Sequence, residues 1–254
     1  MDRLAFNAVA AINEQRVSRQ VTANEMANVS TPGFKRSYEV AMQAIKAEGA
    51  GLATRMQPQS VAKDIIALKP GPVIATGREL DVAMNQQAVL GVSTRDGKLA
   101  FTRRGDLQVT ATGVLQTGAG FAVRGEGGQP ITVPASGKIT INPDGSIYAG
   151  NPAVPNEAGV LVGRLLLRDA SQAQLERRED GLFKVTGQAD GSDITNGSVP
   201  GRVTPKAVEG SNVNAMEIMI KLMDQARNFE QQVRIIKESK SNDEGATTML
   251  KLGG

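Results

Sequence analysis

Glycine and proline are missing from residues 1 to about 29 and again from 212 to about 240, although the chain of 254 residues holds 28 Gly and 11 Pro. That segregation constrains the fold more than any other feature. Gly and Pro are the main breakers of regular structure. Two unbroken ends are therefore free to form long helices, and the centre is punctuated by turns.

In the first segment Leu4, Ala5, Ala8, Val9 and Ile12 recur at helical spacing, and Val17 and Val21 continue it less regularly. The helix is expected to stop near Ser30-Thr31-Pro32-Gly33. Pro32 lacks an amide hydrogen and disfavours helical geometry at Thr31, while Gly33 tolerates positive φ.

In the last segment Met216, Met219, Ile220, Met223, Ala226, Phe229, Val233 and Ile236 follow one another in steps of mostly three and four. This pattern predicts an amphipathic helix capped by Asn212 or Asn214, with Glu217 three residues after Asn214 as capping-box partner. Ile218, Leu222 and Ile235 lie off the stripe, so the helix is apolar over more than one face. At about 1.5 Å per residue it reaches roughly 40 Å, more than a small β domain needs for a cover. Pattern alone leaves two readings level: a helix folded onto its own domain, or a sticky face that pairs with other chains.

From about Pro70 to Pro205, short apolar runs alternate with the turn dipeptides Asp96-Gly97, Thr112-Gly113, Asp144-Gly145 and Asn196-Gly197. Leu99-Ala100-Phe101, Leu107-Gln108-Val109, Ile139-Thr140-Ile141 and Leu161 to Leu167 are the strands this predicts, in a hairpin-built β domain. The polar stretch Ser37 to Lys69, with Gly49-Ala50-Gly51, reads as an irregular or partly helical connector, mobile before assembly. The expected organisation is 1–36 helix and turn, 37–69 connector, 70–205 central β domain and 206–254 C-terminal helix. The fold class is mainly β, flanked by helices that pack together or with neighbouring subunits.

Composition narrows the chemistry. With no His and no Cys there is no imidazole base, thiolate nucleophile, disulfide or Cys/His zinc site. The net charge of +3 is not gathered into a like-charge run, so nucleic acid is not an indicated partner. No window approaches the 18 or so apolar residues of a membrane span, and the N-terminus lacks the apolar core of a cleaved signal peptide. Taken alone, that points to the cytoplasm.

Ser60-Val61-Ala62-Lys63 matches the Ser-x-x-Lys pattern of acyl-transferring serines, but its companion signatures are missing. Gly118-Ala119-Gly120 and Gly125-Glu126-Gly127-Gly128 read as hairpin turns and not phosphate loops. Glu176, Glu179 and Asp180 offer a carboxylate pair for glycoside hydrolysis, yet the arginines around them favour surface pairing. Asn28-Val29-Ser30 and Asn196-Gly197-Ser198 are sequons only in form. No catalytic, cofactor or metal residue is indicated.

Thr22-Ala23-Asn24-Glu25-Met26-Ala27-Asn28-Val29-Ser30-Thr31-Pro32-Gly33-Phe34-Lys35 resembles the N-terminal signature of flagellar rod and hook proteins, with Glu25 and Met26 as departures. Thr76-Gly77-Arg78-Glu79-Leu80-Asp81-Val82-Ala83 and Phe101-Thr102-Arg103-Arg104-Gly105-Asp106-Leu107, followed by Gly113-Val114-Leu115, resemble that family's β core. Gln86-Gln87-Ala88-Val89-Leu90-Gly91 replaces the family's usual Gly-x-Gly-Phe-Phe strand. Glu209-Gly210-Ser211-Asn212-Val213-Asn214 opens the last helix as in the family. Length, Met1-Asp2-Arg3-Leu4 and Ala226-Arg227-Asn228-Phe229-Glu230 are most similar to the proximal rod branch, with the distal rod branch next and hook-type axial proteins beyond it.

The resemblance implies a non-enzymatic subunit of the basal-body rod that spans the periplasm and transmits torque. It also implies export by the flagellar type III apparatus without a cleaved signal, and terminal segments that build a tubular inner layer with the β domain outside. The assembly residues it points to are Asn24, Ala27, Asn28, Thr31, Pro32, Gly33 and Phe34 at one end. At the other end they are Ser211, Asn212, Val213, Met216, Met219, Ile220, Met223, Phe229, Val233 and Ile236. The partners are further copies and other rod subunits. The contrasting classes are a cell-wall hydrolase using Glu176 or Glu179, and a cytoplasmic β-domain binder whose last helix is a lid.

Overall fold

The computed structural model describes residues 2–37, 42–46, 56–60, 65–134, 137–150, 159–195, 197 and 199–252. They fall into two compact units.

The helical unit comprises Met1–Ala27, Glu39–Lys63 and Asn214–Gly254. Helix α1 runs Asp2–Ala27, ending five residues before Pro32. Helix α2 runs Ala215–Leu252, past the expected end near residue 240 and through Gly245. One glycine inside a helix costs only about 1 kcal/mol, which the flanking turns absorb. Asn214 is the cap: its Oδ1 accepts from the backbone N–H of Met216 at 3.0 Å and of Glu217 at 3.4 Å.

Within the stretch read as a connector, β1 (Met42–Lys46) and β2 (Met56–Ser60) pair antiparallel. Neither strand has the strict apolar alternation of a half-buried strand, and the pairing partner of each lies outside its own window. Nothing local announces the pair. Lys63 of the Ser-x-x-Lys pattern lies outside the described residues, as do Asn196 and Ser198.

The β unit comprises Asn28–Tyr38 and Asp64–Val213. Its strands are β3 (Val73–Ala75), β4 (Val82–Met84), β5 (Ala88–Ser93), β6 (Leu99–Thr102), β7 (Leu107–Val109), β8 (Leu115–Thr117) and β9 (Lys138–Ile141). Then come β10 (Ser146–Gly150), β11 (Val160–Arg164), β12 (Leu167–Asp169), β13 (Leu175–Arg177), β14 (Phe183–Val185), β15 (Val203–Pro205) and β16 (Ala207–Glu209). The largest sheet has the order β12-β5-β6-β14-β13, and a second has the order β11-β10-β9. The remaining strands pair as β7-β8, β15-β4 and β16-β3.

Sequence-local hairpins close where turn residues allow it. Gly97, Gly113 and Gly145 take φ of 74°, 81° and 83°, a region that L side chains rarely adopt. The glycine-rich candidates are turns as well: Gly120 N–H donates to Thr117 O and Gly128 N–H to Gly125 O.

The core has two layers that share β5 and β6. Leu90, Val92 and Ala100 face a cluster with Val82, Leu107, Leu115 and Ile147. Val89, Leu99 and Phe101 face the other way, toward Ile66, Leu175 and Phe183. A strand buried on both faces reads as a continuous apolar run, as Ala88–Val92 does. Truncating Leu90→Ala empties fully buried volume and is expected to cost about 2–5 kcal/mol in urea unfolding. The same truncation at Val160, which is 74% exposed, is expected to leave stability within about 0.5 kcal/mol.

Candidate functional site

The two terminal signatures, more than 170 residues apart, meet inside the β unit. After α1, Asn28 and Thr31 close a turn: Thr31 N–H donates to Asn28 O at 3.2 Å, and Thr31 Oγ1 to Asn28 Oδ1 at 3.1 Å. Pro32 follows, and Gly33 adopts φ of 69°, a conformation costly for any other residue. A Cβ on Gly33 would also be driven into the backbone of Arg103. Gly33 N–H donates to Glu209 O at 2.7 Å, and Asn212 N–H to Phe34 O at 3.2 Å.

Asn212, one of the two cap candidates, works here and not at the helix. Its Oδ1 accepts from Arg36 N–H at 2.7 Å, while its Nδ2 donates to Ala67 O at 2.9 Å and Lys69 O at 3.1 Å. Ser211 Oγ accepts from Val213 N–H at 3.2 Å, and both residues are buried. Phe34 is buried with the Arg177 guanidinium stacked over its ring at 4.5 Å, and Arg177 also donates to Lys35 O.

At the centre lies a buried carboxylate. Glu209 Oε1 accepts from Lys35 Nζ at 2.6 Å and from Gly71 N–H at 2.8 Å, and Oε2 accepts from Arg103 at 2.6 Å. Lys35 and Arg103 have no exposed surface and Glu209 has 1%. The remaining donors are satisfied by backbone: Arg103 reaches the carbonyls of Met84, Gln86 and Ala88, and Lys35 that of Lys69. Gln86, with φ of 49°, turns its carbonyl toward Arg103 just before β5. Burial, and then the neighbouring Arg103 charge, push Lys35 down to about 8 against the pull of Glu209. Burial lowers Arg103 from its ordinary value while Glu209 raises it.

The helical unit has a different chemistry. On α1, Ala11, Gln15, Ser18, Thr22 and Glu25 follow in steps of four and three, the seam of a coiled coil. The matching face of α2 is Ile218, Leu222, Gln225, Phe229, Gln232, Ile236 and Ser239. Gln225 is its node: Nε2 donates to Ser18 Oγ and Thr22 Oγ1, both at 3.1 Å, and its carbonyl accepts from Gln15 Nε2 at 2.7 Å. Arg19 sits over the Phe229 ring at 5.3 Å. The seam is polar and incompletely paired, since the Oε1 atoms of Gln15, Gln225 and Gln232 are buried without a donor.

The sequence-predicted apolar stripe divides between two faces. Phe229 lies on the seam face, and Val233 and Ile236 are half-buried. Met216, Met219, Ile220 and Met223 remain 45–67% exposed, and Ile220 borders the groove that α2 forms with Ala11, Gln15 and Ser18 of α1. Ile218, off the stripe in the sequence, is the side chain that is fully buried. Asn24 is exposed on α1, and Ala27 is its last residue.

Two of the carboxylates considered for hydrolysis are engaged elsewhere. Glu176 pairs with Lys184 across β13 and β14 at 3.1 Å, and Asp180 with Arg178 at 3.3 Å. Among the described residues no acidic cluster is placed to hold a metal, and no helix is long and apolar enough to cross a membrane.

A family model for the flagellar hook protein FlgE/F/G D1 domain matches residues 83–149, and one for the flagellar basal body rod FlgEFG protein C-terminal matches 204–249. The chain is 38% identical to the flagellar basal-body rod protein FlgF of Salmonella typhimurium, across 99% of this chain and 100% of that one. It is 37% identical to FlgF of Escherichia coli over the same shares. Identity to the rod protein FlgG of Agrobacterium fabrum is 29%, over 96% of this chain and 97% of that one.

Two outcomes test the buried centre. Glu209→Gln strands two buried cations and is expected to cost about 3–5 kcal/mol in denaturant unfolding. Lys35→Met leaves the Arg103–Glu209 pair intact and isolates the titration. Below pH 8 Lys35 is protonated in the folded and unfolded chains alike, so stability relative to Lys35→Met is flat. Between about 8 and 10.5 only the folded chain has released the proton, so the parent gains on the variant as pH rises. A parent that loses ground over that interval contradicts the assignment.

Proposed function

Since the chain belongs to the flagellar basal-body rod protein family, we propose that it serves as a structural rod subunit that assembles through α1 and α2 into a helical tube transmitting torque. The observation that carries the reading is the apolar face Met216, Met219, Ile220 and Met223, which the isolated chain leaves open to water. Burying each such side chain contributes about 1.5–3 kcal/mol, and contiguous patches of this kind mark interaction sites. Methionine also adapts to irregular neighbours.

Within the family the chain is FlgF-like, with 38% identity to a FlgF against 29% to the FlgG above. That favours the proximal position over the distal one. The division of labour supports a role without turnover: the Lys35–Glu209–Arg103 centre is sealed from solvent, and Glu176 and Asp180 sit in ordinary ion pairs. Export through the flagellar type III apparatus, without a cleaved signal and into the periplasmic span of the basal body, fits a chain with no disulfide to open.

Met219→Asp combined with Met223→Asp tests the reading. Both sites are exposed, so circular dichroism and urea unfolding of the monomer are expected to match the parent. The variant is expected to be missing from purified basal bodies and to leave cells non-motile. Motile cells whose basal bodies carry the double variant would overturn the reading.

A further inference from the structure

The β unit ends on a strap. Arg202 to Val213 runs as β15 and β16, joined at Lys206, and among the described residues the strand partner of β4 is β15 and that of β3 is β16. β4 is wholly buried, with Val82 and Ala83 at no exposed surface and Met84 at 3%. Without the strap its backbone groups on that side would either be buried unpaired or be wetted together with the core beneath them, and both are costly. Val203, Ala207, Val208 and Val213 are buried too, so the strap carries part of the core with it.

It is tied along its whole length. Asn85 N–H donates to Arg202 O at 2.9 Å, Val203 N–H to Pro143 O at 3.0 Å and Gly210 N–H to Pro72 O at 2.7 Å. Lys206 holds φ of 59°, an unfavourable region for a residue with a long side chain. It is kept there by its own N–H on Asp81 O at 2.7 Å and by the N–H groups of Thr76 and Gly77 on its carbonyl. A strained residue of this kind persists only where its surroundings over-determine it.

The Glu209 carboxylate makes the dependence mutual. Before it arrives, Lys35 and Arg103 would share a space closed to water, two like charges with no anion. Arg103 also ties the carbonyls of Met84, Gln86 and Ala88, so a centre left open there leaves β4 and β5 unjoined. Glu209 follows Lys35 by 174 residues and is the last member of the centre to appear in a chain made from its N-terminus.

We propose that this strap is the lock of the β unit: residues 28–201 have no stable fold until residues 202–213 dock and Glu209 enters between Lys35 and Arg103. The inference goes beyond the rod-subunit reading and does not rest on it. Its consequence is a delay. Nearly the whole β unit leaves the ribosome before it can close, which keeps the chain thin for the export proposed above.

Native-state hydrogen exchange on the full chain, followed through rising urea below the unfolding midpoint, tests the lock. The strap amides of Val203, Lys206 and Gly210 are expected to exchange by the same opening as the core amides of Leu115, Val123 and Ile131, within about threefold once intrinsic rates are divided out. Pulse labelling during refolding is expected to protect residues 88–102 and 203–213 in one phase. Glu209→Gln is expected to speed exchange at both sets of amides alike, by about a hundredfold or more. Strap amides exchanging more than about tenfold faster than a core that stays protected would overturn the lock, since the rest of the unit would then stand without it. So would a core protected in an earlier refolding phase than the strap, or a Glu209→Gln chain in which the strap alone exchanges faster. Where that variant does not fold at all, the two measurements on the parent chain decide.

Discussion

The Glu209 carboxylate is removed from water, and a buried charge persists only where every lone pair finds a donor. Here the donors come from three separate stretches, Lys35 after α1, Gly71 before β3 and Arg103 after β6, and Arg103 in turn donates to the carbonyls of Met84, Gln86 and Ala88. The three donor stretches are held by the same anion. Gly33, Phe34 and Asn212 then add backbone bonds around it, so the residues that leave the β unit toward α1 and α2 are fixed side by side. Such a centre adds little net stability over a well-packed apolar one. Its weight shows when it is broken, because removing one partner leaves an uncompensated buried charge.

The helical unit follows the opposite rule. Its internal seam mixes Gln15, Ser18, Thr22 and Gln225 with Ile218, Leu222 and Phe229 and leaves glutamine oxygens orphaned, while Met216, Met219, Ile220 and Met223 stay exposed. The β unit thus seals its charges away from water, while the helical unit leaves four large apolar side chains of α2 open to it.

Much of this was legible in the sequence, for identifiable reasons. Helices at both ends followed from the absence of Gly and Pro, and the hairpins from Asp96-Gly97 and Asp144-Gly145, because these are local properties of the backbone. Lys35, Arg103 and Glu209 each stood inside a recognisable stretch, but nothing along the chain says that three distant charges share one site. The β1–β2 pair was missed because its register depends on a partner and not on its own alternation. The apolar period on α2 predicts the helix, yet its side chains divide: Met216, Met219, Ile220 and Met223 are exposed, while Phe229 and Ile236 lie on the seam face. The polar contacts through Gln225 give no such periodic signal. Asn212 and Asn214 are equivalent cap candidates in the sequence, and only long-range contacts separate them: Asn212 is held by Arg36, Ala67 and Lys69, which leaves Asn214 to cap α2.

The central claim is that the methionine face waits for a neighbour. Hydroxyl-radical footprinting, comparing the isolated chain with the chain in purified basal bodies, tests it most directly. Met216, Met219 and Met223 are expected to oxidise rapidly in the isolated chain and to be protected at least tenfold after assembly, while the buried Met84 stays slow in both. Equal oxidation of the three in both states would contradict the account.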